Sequence, residues 1–242
     1  MSRIKGKTGK VSPGAKRASG DGAGDIARVL TTKAETRAFY NKISKIYDHM
    51  AEHSEGPVRQ KALDKLAPRP GETLLEIGCG TGHITAGLAR AAGPGGRVYA
   101  LDLSDGMLGQ TRLLLDREGL ARRVALCCAD AEKMPLADGS VDALFMSFTL
   151  ELFDNPDIAV VLGECKRVLR PGGRLAVAAV TKEGHHEFLV GAYEWTHRHF
   201  PNFLDCRPIF ARRSIEAAGF RVWDAEAAMM WVPVEIVLAA KE

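Results

Sequence analysis

The sequence predicts an α/β fold built as a doubly wound, mostly parallel sheet, and three observations carry that prediction. An apolar run from Thr73 to Ile77 stops at three glycines on alternate positions (Gly78, Gly80, Gly82), and a helix-compatible segment opens at His83. Further short apolar runs over 97–101, 124–128 and 175–180 alternate with amphipathic stretches, as repeated strand–helix–strand units do. Val141–Ser147 is nearly unbroken in apolar residues (Val141, Ala143, Leu144, Phe145, Met146), as a strand buried on both faces requires.

Taken in order, the chain begins with a segment that has no means of building a core. Residues 1–24 carry six glycines and almost no large apolar side chain, which predicts a disordered tail over 1–30. Seven Lys/Arg against two acids in residues 1–28 give a local +5, so the remainder stands at −2 within the net +3. A basic tail on a near-neutral domain does not make a nucleic-acid-binding domain. It solubilises, it tethers the chain loosely, by peripheral contact, to an anionic membrane surface or to RNA, or it is an organelle-targeting peptide. The remaining 31–242 suits one α/β domain.

From Thr32 the pattern turns helical, with Ala38, Phe39, Ile43, Ile46, Tyr47 and Met50 at three- and four-residue spacings. A second helix is expected over Gly56–Leu66, closed by Pro68-Arg69-Pro70-Gly71. These helices make residues 31–70 an N-terminal unit ahead of the first strand, Thr73–Ile77. The glycine turn that follows tolerates positive φ and lets a ligand approach bare backbone, and the helix start supplies unpaired N–H groups.

A helix over His83–Ala91 ends at Gly93-Pro94-Gly95-Gly96, and strand Arg97–Leu101 runs into Asp102, twenty residues beyond Gly82. An acid at the end of the second strand of such a unit accepts both hydroxyls of a ribose. Helix Asp105–Glu118 and strand Val124–Cys128 lead to Ala129-Asp130-Ala131, an acidic acceptor beside a backbone donor that either meets a ligand or caps the next short helix. Helix Asp157–Leu169 stops at Arg170-Pro171-Gly172-Gly173, and the turn delivers strand Leu175–Val180. After it, residues 181–210 gather Phe188, Tyr193, Trp195, Phe200 and Phe203 with His185, His186, His197 and His199. Helix Arg207–Ala218 and strands 220–225 and 229–239 close the chain.

The run Leu74–Gly82, with Glu76 two residues before the first glycine, resembles the first motif of class I S-adenosylmethionine-dependent methyltransferases. Leu103-Ser104-Asp105-Gly106-Met107, Ala129-Asp130-Ala131-Glu132-Lys133-Met134-Pro135-Leu136 and Leu169-Arg170-Pro171-Gly172-Gly173-Arg174-Leu175 are similar to later motifs of the same family, and Phe39–Asp48 to the helix upstream of it. The nearest likeness is to the ubiquinone/menaquinone biosynthesis C-methyltransferase group.

The resemblance implies a Rossmann-like, seven-stranded sheet with an antiparallel edge strand, and S-adenosylmethionine as cofactor. It places Glu76 near the methionine amino group and Gly78, Cys79, Gly80 and Gly82 under the nucleoside. Asp102 and Leu103 fall at the ribose, and Met107, Asp130 and Ala131 at the adenine. Ser147 lies at the strand end that faces the ligand, and Tyr40 and Tyr47 on a helix that lids the site. Segment 181–210 corresponds to the family's substrate-recognition insert. Thr149 and Glu151 stand where quinone methyltransferases often carry a polar residue and an H-x or N-x pair.

The expected activity is methyl transfer to a small lipophilic acceptor, quinol-like or phospholipid. A soluble metabolite or amine is the alternative acceptor, and a non-catalytic S-adenosylmethionine-binding protein and a nicotinamide-dependent oxidoreductase are the alternative functions. The G-x-G-x-G spacing differs from the G-x-G-x-x-G of dinucleotide binders. Glu151, His185, His186, Tyr193 and His197 are the candidate bases. The five cysteines (79, 127, 128, 165, 206) form no C-x-x-C pair, which predicts reduced thiols in a cytoplasmic protein without a metal site. No N-P-P-Y element for a flipped base is present, so a nucleic-acid substrate is not expected. Monomer and dimer both stay open.

Overall fold

Side chains alternate across a strand, and here both sets are buried. Along β1 (Thr73–Ile77), Leu74 and Glu76 point to one face while Leu75 and Ile77 point to the other, all at most 2% exposed. The computed structural model describes residues 26, 28, 29, 31–183 and 207–242. Within them, β1, β2 (Arg97–Asp102), β3 (Val124–Cys128), β4 (Val141–Ser147), β5 (Leu169–Val180), β6 (Arg221–Met229) and β7 (Pro233–Ala240) form one sheet in the order β3-β2-β1-β4-β5-β7-β6. The first five strands are parallel; β7 runs against both its neighbours, and β6 closes that edge.

Helices cover the two faces. Leu63 and Leu66 of α2 (Tyr47–Leu66) and Leu88 of α3 (His83–Ala92) pack with Leu74, Phe145, Ala176 and Leu238. On the opposite face Val161, Leu162 and Cys165 of α5 (Asn155–Val168) and Ile215 of α6 (Ala211–Ala217) pack with Leu75, Ile77, Leu144 and Val177. Strand order reverses between β1 and β4, and in open α/β sheets the crevice beyond the carboxyl ends of the strands at such a switch receives the ligand.

Several boundaries differ from those the sequence suggests. The helical pattern that starts at Thr32 breaks at Ser44, giving α1 (Lys33–Ile43), and α2 then runs from Tyr47 straight through Gly56 and Pro57. Burial of Val58, Ala62, Leu63 and Leu66 outweighs the helix-breaking tendency of that pair. Strand β5 begins at Leu169, not Leu175, because Leu169 already pairs with Val141 and Arg170–Gly173 bulge out between that pair and Arg174↔Ala143. Arg174 then donates to Glu72 at 2.9 and 2.7 Å and to the Leu66 and Ala67 carbonyls, tying the end of α2 to the centre of the sheet. Residues 207–210 are extended, not helical, since the Ile209 N–H bonds the Val180 carbonyl and the Lys182 N–H bonds the Ile209 carbonyl. The hairpin turn between the last two strands falls at 230–232.

Candidate active site

The carboxyl ends of β1, β2 and β4 open into a cleft of about 370 Å³. Its floor is the glycine turn. Gly78 has φ of 70°, and a Cβ there would lie 2.2 Å from Thr149 Oγ1, so only glycine lets the turn pass beneath the end of β4. Gly80, at φ 53°, would carry its Cβ into open space. The turn is pinned from below: the Gly78 N–H donates to the Leu101 carbonyl at 2.8 Å, and Thr111 of α4 (Asp105–Arg117) donates to the Gly80 carbonyl at 2.7 Å.

Three acids stand around this floor. Asp102, at the tip of β2, accepts the Gly80 N–H on one oxygen at 2.9 Å and the Ser104 N–H on the other at 2.8 Å. The Leu103 N–H also donates to this carboxylate, which offers about four acceptor sites in all. Burial pushes its pKa up to about 6 against those backbone donors. Glu76, 2% exposed, accepts the Thr85 hydroxyl, and burial raises its pKa to about 8, although the Thr85 bond and the nearby Arg59 cation both oppose the rise. Asp130 is engaged by a residue the sequence did not single out: Lys33 bridges Asp130 at 2.5 Å and Glu132 at 2.6 Å.

Lys33 belongs to α1, which lies over the cleft with Thr36 and Tyr40 also facing it. Asn41 docks this helix on the start of α4. Its amide donates to Asp105, and its carbonyl oxygen accepts the Ser104 hydroxyl at 2.5 Å and the Gly106 N–H at 3.0 Å. Arg59 of α2 reaches the same cavity, ion-paired with Glu55 and placed 5.7 Å from the centre of the Phe148 ring. Phe148 has φ of 49°, a left-handed conformation uncommon for a bulky residue. Its N–H bond to the Ala178 carbonyl at 2.8 Å holds the strand end in that conformation.

Among the residues expected at the site, Glu76, Gly78, Cys79, Gly80, Gly82, Asp102, Leu103, Met107, Asp130, Ala131, Ser147 and Tyr40 all line this one cleft. Tyr47 opens α2, and its side chain lies outside the described set. Glu151 is fully buried, accepts the Val180 N–H at 3.0 Å and is not among the cleft-lining residues. His185, His186, Tyr193, His197 and most of the 181–210 insert lie outside the described residues. Besides Lys33, Arg59 and Asp157 line the cleft with no sequence signal that marks them, while Phe148 and Phe153 lie just past the strand end expected to face the ligand. A positive φ at a phenylalanine has no local signature, and Arg59 reads as one more polar residue of an exposed helix face until the sheet is folded beside it.

A family model for a methyltransferase domain matches residues 75–177, the stretch that contributes the glycine turn, Asp102, Asp130 and β4. Over that stretch the chain is similar to a methyltransferase domain, and it resembles the class I, S-adenosylmethionine-dependent methyltransferases. Curated relatives that resemble it include the ubiquinone/menaquinone biosynthesis C-methyltransferase UbiE of Bordetella avium, 39% identical over 127 residues that make up 52% of this chain and 47% of that protein. The same enzyme of Teredinibacter turnerae is 33% identical over 167 residues, 67% of this chain and 66% of that one. A nocamycin O-methyltransferase of Saccharothrix syringae is 33% identical over 57% of this chain and 48% of its own length. The methyltransferase domain thus spans about half the length of the first of these relatives.

Solved structures share its fold. A SAM-dependent methyltransferase from Aquifex aeolicus superposes with TM-score 0.62 at 24% identity, over 84% of this chain and 98% of that one. The [4+2]-cyclase SpnF superposes with TM-score 0.70 at 18% identity, over 87% and 97%. A likeness of this degree to a cyclase shows that the fold alone does not name the reaction.

Proposed function

We propose that the chain transfers the methyl group of S-adenosylmethionine to a ring carbon of a lipophilic, quinol-like acceptor. The observation that carries the cofactor assignment is the state of Glu76: a buried carboxyl facing the cleft, held up to a pKa of about 8, beside a turn whose middle glycine has open space where a Cβ would stand. Such a group is stabilised as a carboxylate by an incoming cation. The residues present therefore fit a ligand with an ammonium group, and Arg59, close enough to act on Glu76 electrostatically, offers the opposite charge to a carboxylate at the same end of the cleft.

When bound, S-adenosylmethionine supplies a methyl group already activated on a sulfonium sulfur, so transfer rests on alignment and exclusion of water. Glu76 and Arg59 hold the two charges of the amino-acid end. Asp102 accepts from the ribose through the acceptor capacity its backbone donors leave, and Asp130 with the Ala131 N–H meets the edge of the adenine beside Met107. Phe148, Leu152 and Phe153 form an apolar wall past the end of β4, suited to seat a flat ring and keep water from the reacting atoms. The C-methyltransferase relatives support a quinol-like ring; the O-methyltransferase relative supports a second reading, a more polar metabolite methylated on oxygen.

The test is an incubation of the protein with isotope-labelled S-adenosylmethionine and a detergent-solubilised cell extract, followed by separation into organic and aqueous phases. Label on a ring carbon of an organic-phase quinol is the expected result. Label confined to the aqueous phase replaces this acceptor with a polar one, and binding of the cofactor without label in either phase overturns the enzymatic reading.

A further inference from the structure

Three of the exposed large apolar side chains among the described residues, Trp223, Met229 and Trp231, lie on β6 and the turn that follows it. Met229 and Trp231 are each 53% exposed, and their place relative to the cleft is fixed by strand register. Ser147, at the cleft, pairs with Ala178 of β5, which pairs with Ile236 of β7, which pairs with Glu226 of β6. Met229 lies three residues further along β6, so the hairpin tip stands about 10 Å beyond the level of the cleft floor. Three strand spacings separate it from Ser147 laterally, about 14 Å. Pro233, on the other side of the same turn, accepts the Thr181 N–H at 3.0 Å, so the tip is joined to the root of the 181–210 insert.

The basic tail is rooted at this same end of the sheet. Arg28 forms a two-nitrogen contact with Asp154 at 2.8 and 2.5 Å, and the Val29 N–H bonds Asp154 at 3.2 Å. Asp154 caps α5, which starts just past the end of β4, and it lines the cleft. Six more Lys/Arg precede Arg28 in the chain. The domain body is slightly acidic, so an anionic surface draws the tail and not the body. One end of the molecule therefore carries the cleft, the base of a cationic segment and an apolar tip with a tryptophan, a residue that favours the bilayer–water interface.

We infer that this end is a membrane-docking face, on which Met229 and Trp231 enter the headgroup region of an anionic bilayer while the basic tail supplies the attraction. Neither signal is sufficient alone; an apolar tip and a polybasic segment together give a stable but reversible contact. The inference deepens the lipophilic-acceptor reading and rests on it for its purpose, since docking sets the cleft beside the surface from which such an acceptor would enter.

The experiment is sedimentation of the full chain with vesicles, in the absence of cofactor and acceptor. Vesicles of phosphatidylcholine alone are compared with vesicles that also contain phosphatidylglycerol. The expected result is binding to the anionic vesicles, weakened about tenfold in a Met229→Ser/Trp231→Ser variant that retains wild-type melting temperature and cofactor affinity. Brominated lipid is expected to quench the fluorescence of the wild type more than that of Trp231→Phe. Equal partitioning of the tip variant and the wild type overturns the inference, as does failure of the wild type to sediment with anionic vesicles. A dimer in velocity sedimentation that Trp231→Ser dissolves also overturns it, by assigning the tip to a second copy. Vesicle binding is read without any acceptor, so its failure and the failure of the acceptor assignment are separate results.

Discussion

Glu76 is a buried acid and Asp102 a partly buried one, both near strand ends, yet they are set for opposite work. Asp102 is surrounded by donors: the Gly80 and Ser104 N–H groups each take one of its oxygens. Asp102→Ala removes the ribose acceptors and loosens the turn, and is expected to weaken S-adenosylmethionine binding by about 1–3 kcal/mol in titration calorimetry. Asp102→Asn, which retains one acceptor, is expected to lose less. Unchanged affinity in both variants removes Asp102 from the site.

Glu76 carries the pH dependence. Its unfolded carboxyl titrates near 4.5 and its folded one near 8, so between these values the native state keeps a proton that the unfolded state has released. Stability contributed by this group therefore falls as pH rises from about 4.5 to 8. Asp102 adds a fall in the same direction between 3.8 and about 6. Glu76→Gln is expected to flatten the wild-type decline in melting temperature between pH 6.5 and 8, where Asp102 no longer contributes. Binding of a cation beside Glu76 reverses the balance, so calorimetry in buffers of different ionisation enthalpy should show proton release on cofactor binding near pH 7, absent from Glu76→Gln. A flat pH profile in the wild type contradicts the burial argument.

At the scale of elements, what the sequence showed and what it hid divide by how the element is held. Strands β1 and β4 start and end where their apolar runs do, because a strand buried on both faces has no freedom to shift its pattern without exposing a side chain. The glycine turn, Asp102 and Asp130 were legible for a related reason, since local spacing alone places them at strand ends. Lys33, Arg59 and the left-handed turn at Phe148 were not, because they come from elements distant in the chain that folding brings together or from a backbone angle.

Helix α1 shows the consequence. None of its residues is buried. It is fastened by its capping box and by polar contacts: Lys33 to Asp130 and Glu132, Arg37 to Asp105 at 2.8 Å, and Asn41 to the start of α4. Exposed ion pairs contribute about 0–1 kcal/mol each and are screened over a Debye length of about 10 Å at 0.1 M salt. Amide hydrogen exchange in α1 is therefore expected to quicken as salt is raised, and to quicken at low salt in Lys33→Ala, while the amides of β1 and β4 stay protected. Salt-independent protection of α1 equal to that of the sheet refutes a polar attachment.

At the scale of the whole molecule, the described chain resumes after the insert at a single buried cation. Arg207 is fully buried, donates to Asn155 at 2.5 Å and to the Phe153 carbonyl, and feels the negative charges of Asp154 and Glu151. Burial lowers its pKa against those two acids. It joins the strand–helix turn on the cleft wall to the segment that leads into α6, beside the backbone bonds that tie Ile209 to the end of β5. Removing one partner of a buried charge group leaves the others uncompensated, at a cost of about 3–5 kcal/mol. Arg207→Met is therefore expected to lower the melting temperature by about 6–20 °C in a domain of this size. If the cost is electrostatic, Arg207→Met combined with Glu151→Leu should recover part of the loss, because both members of the interaction are then apolar. A double variant whose loss equals the sum of the two single ones shows that Arg207 and Glu151 act separately, and the guanidinium then stabilises the fold through other contacts, its bonds to Phe153 and Asn155 among them.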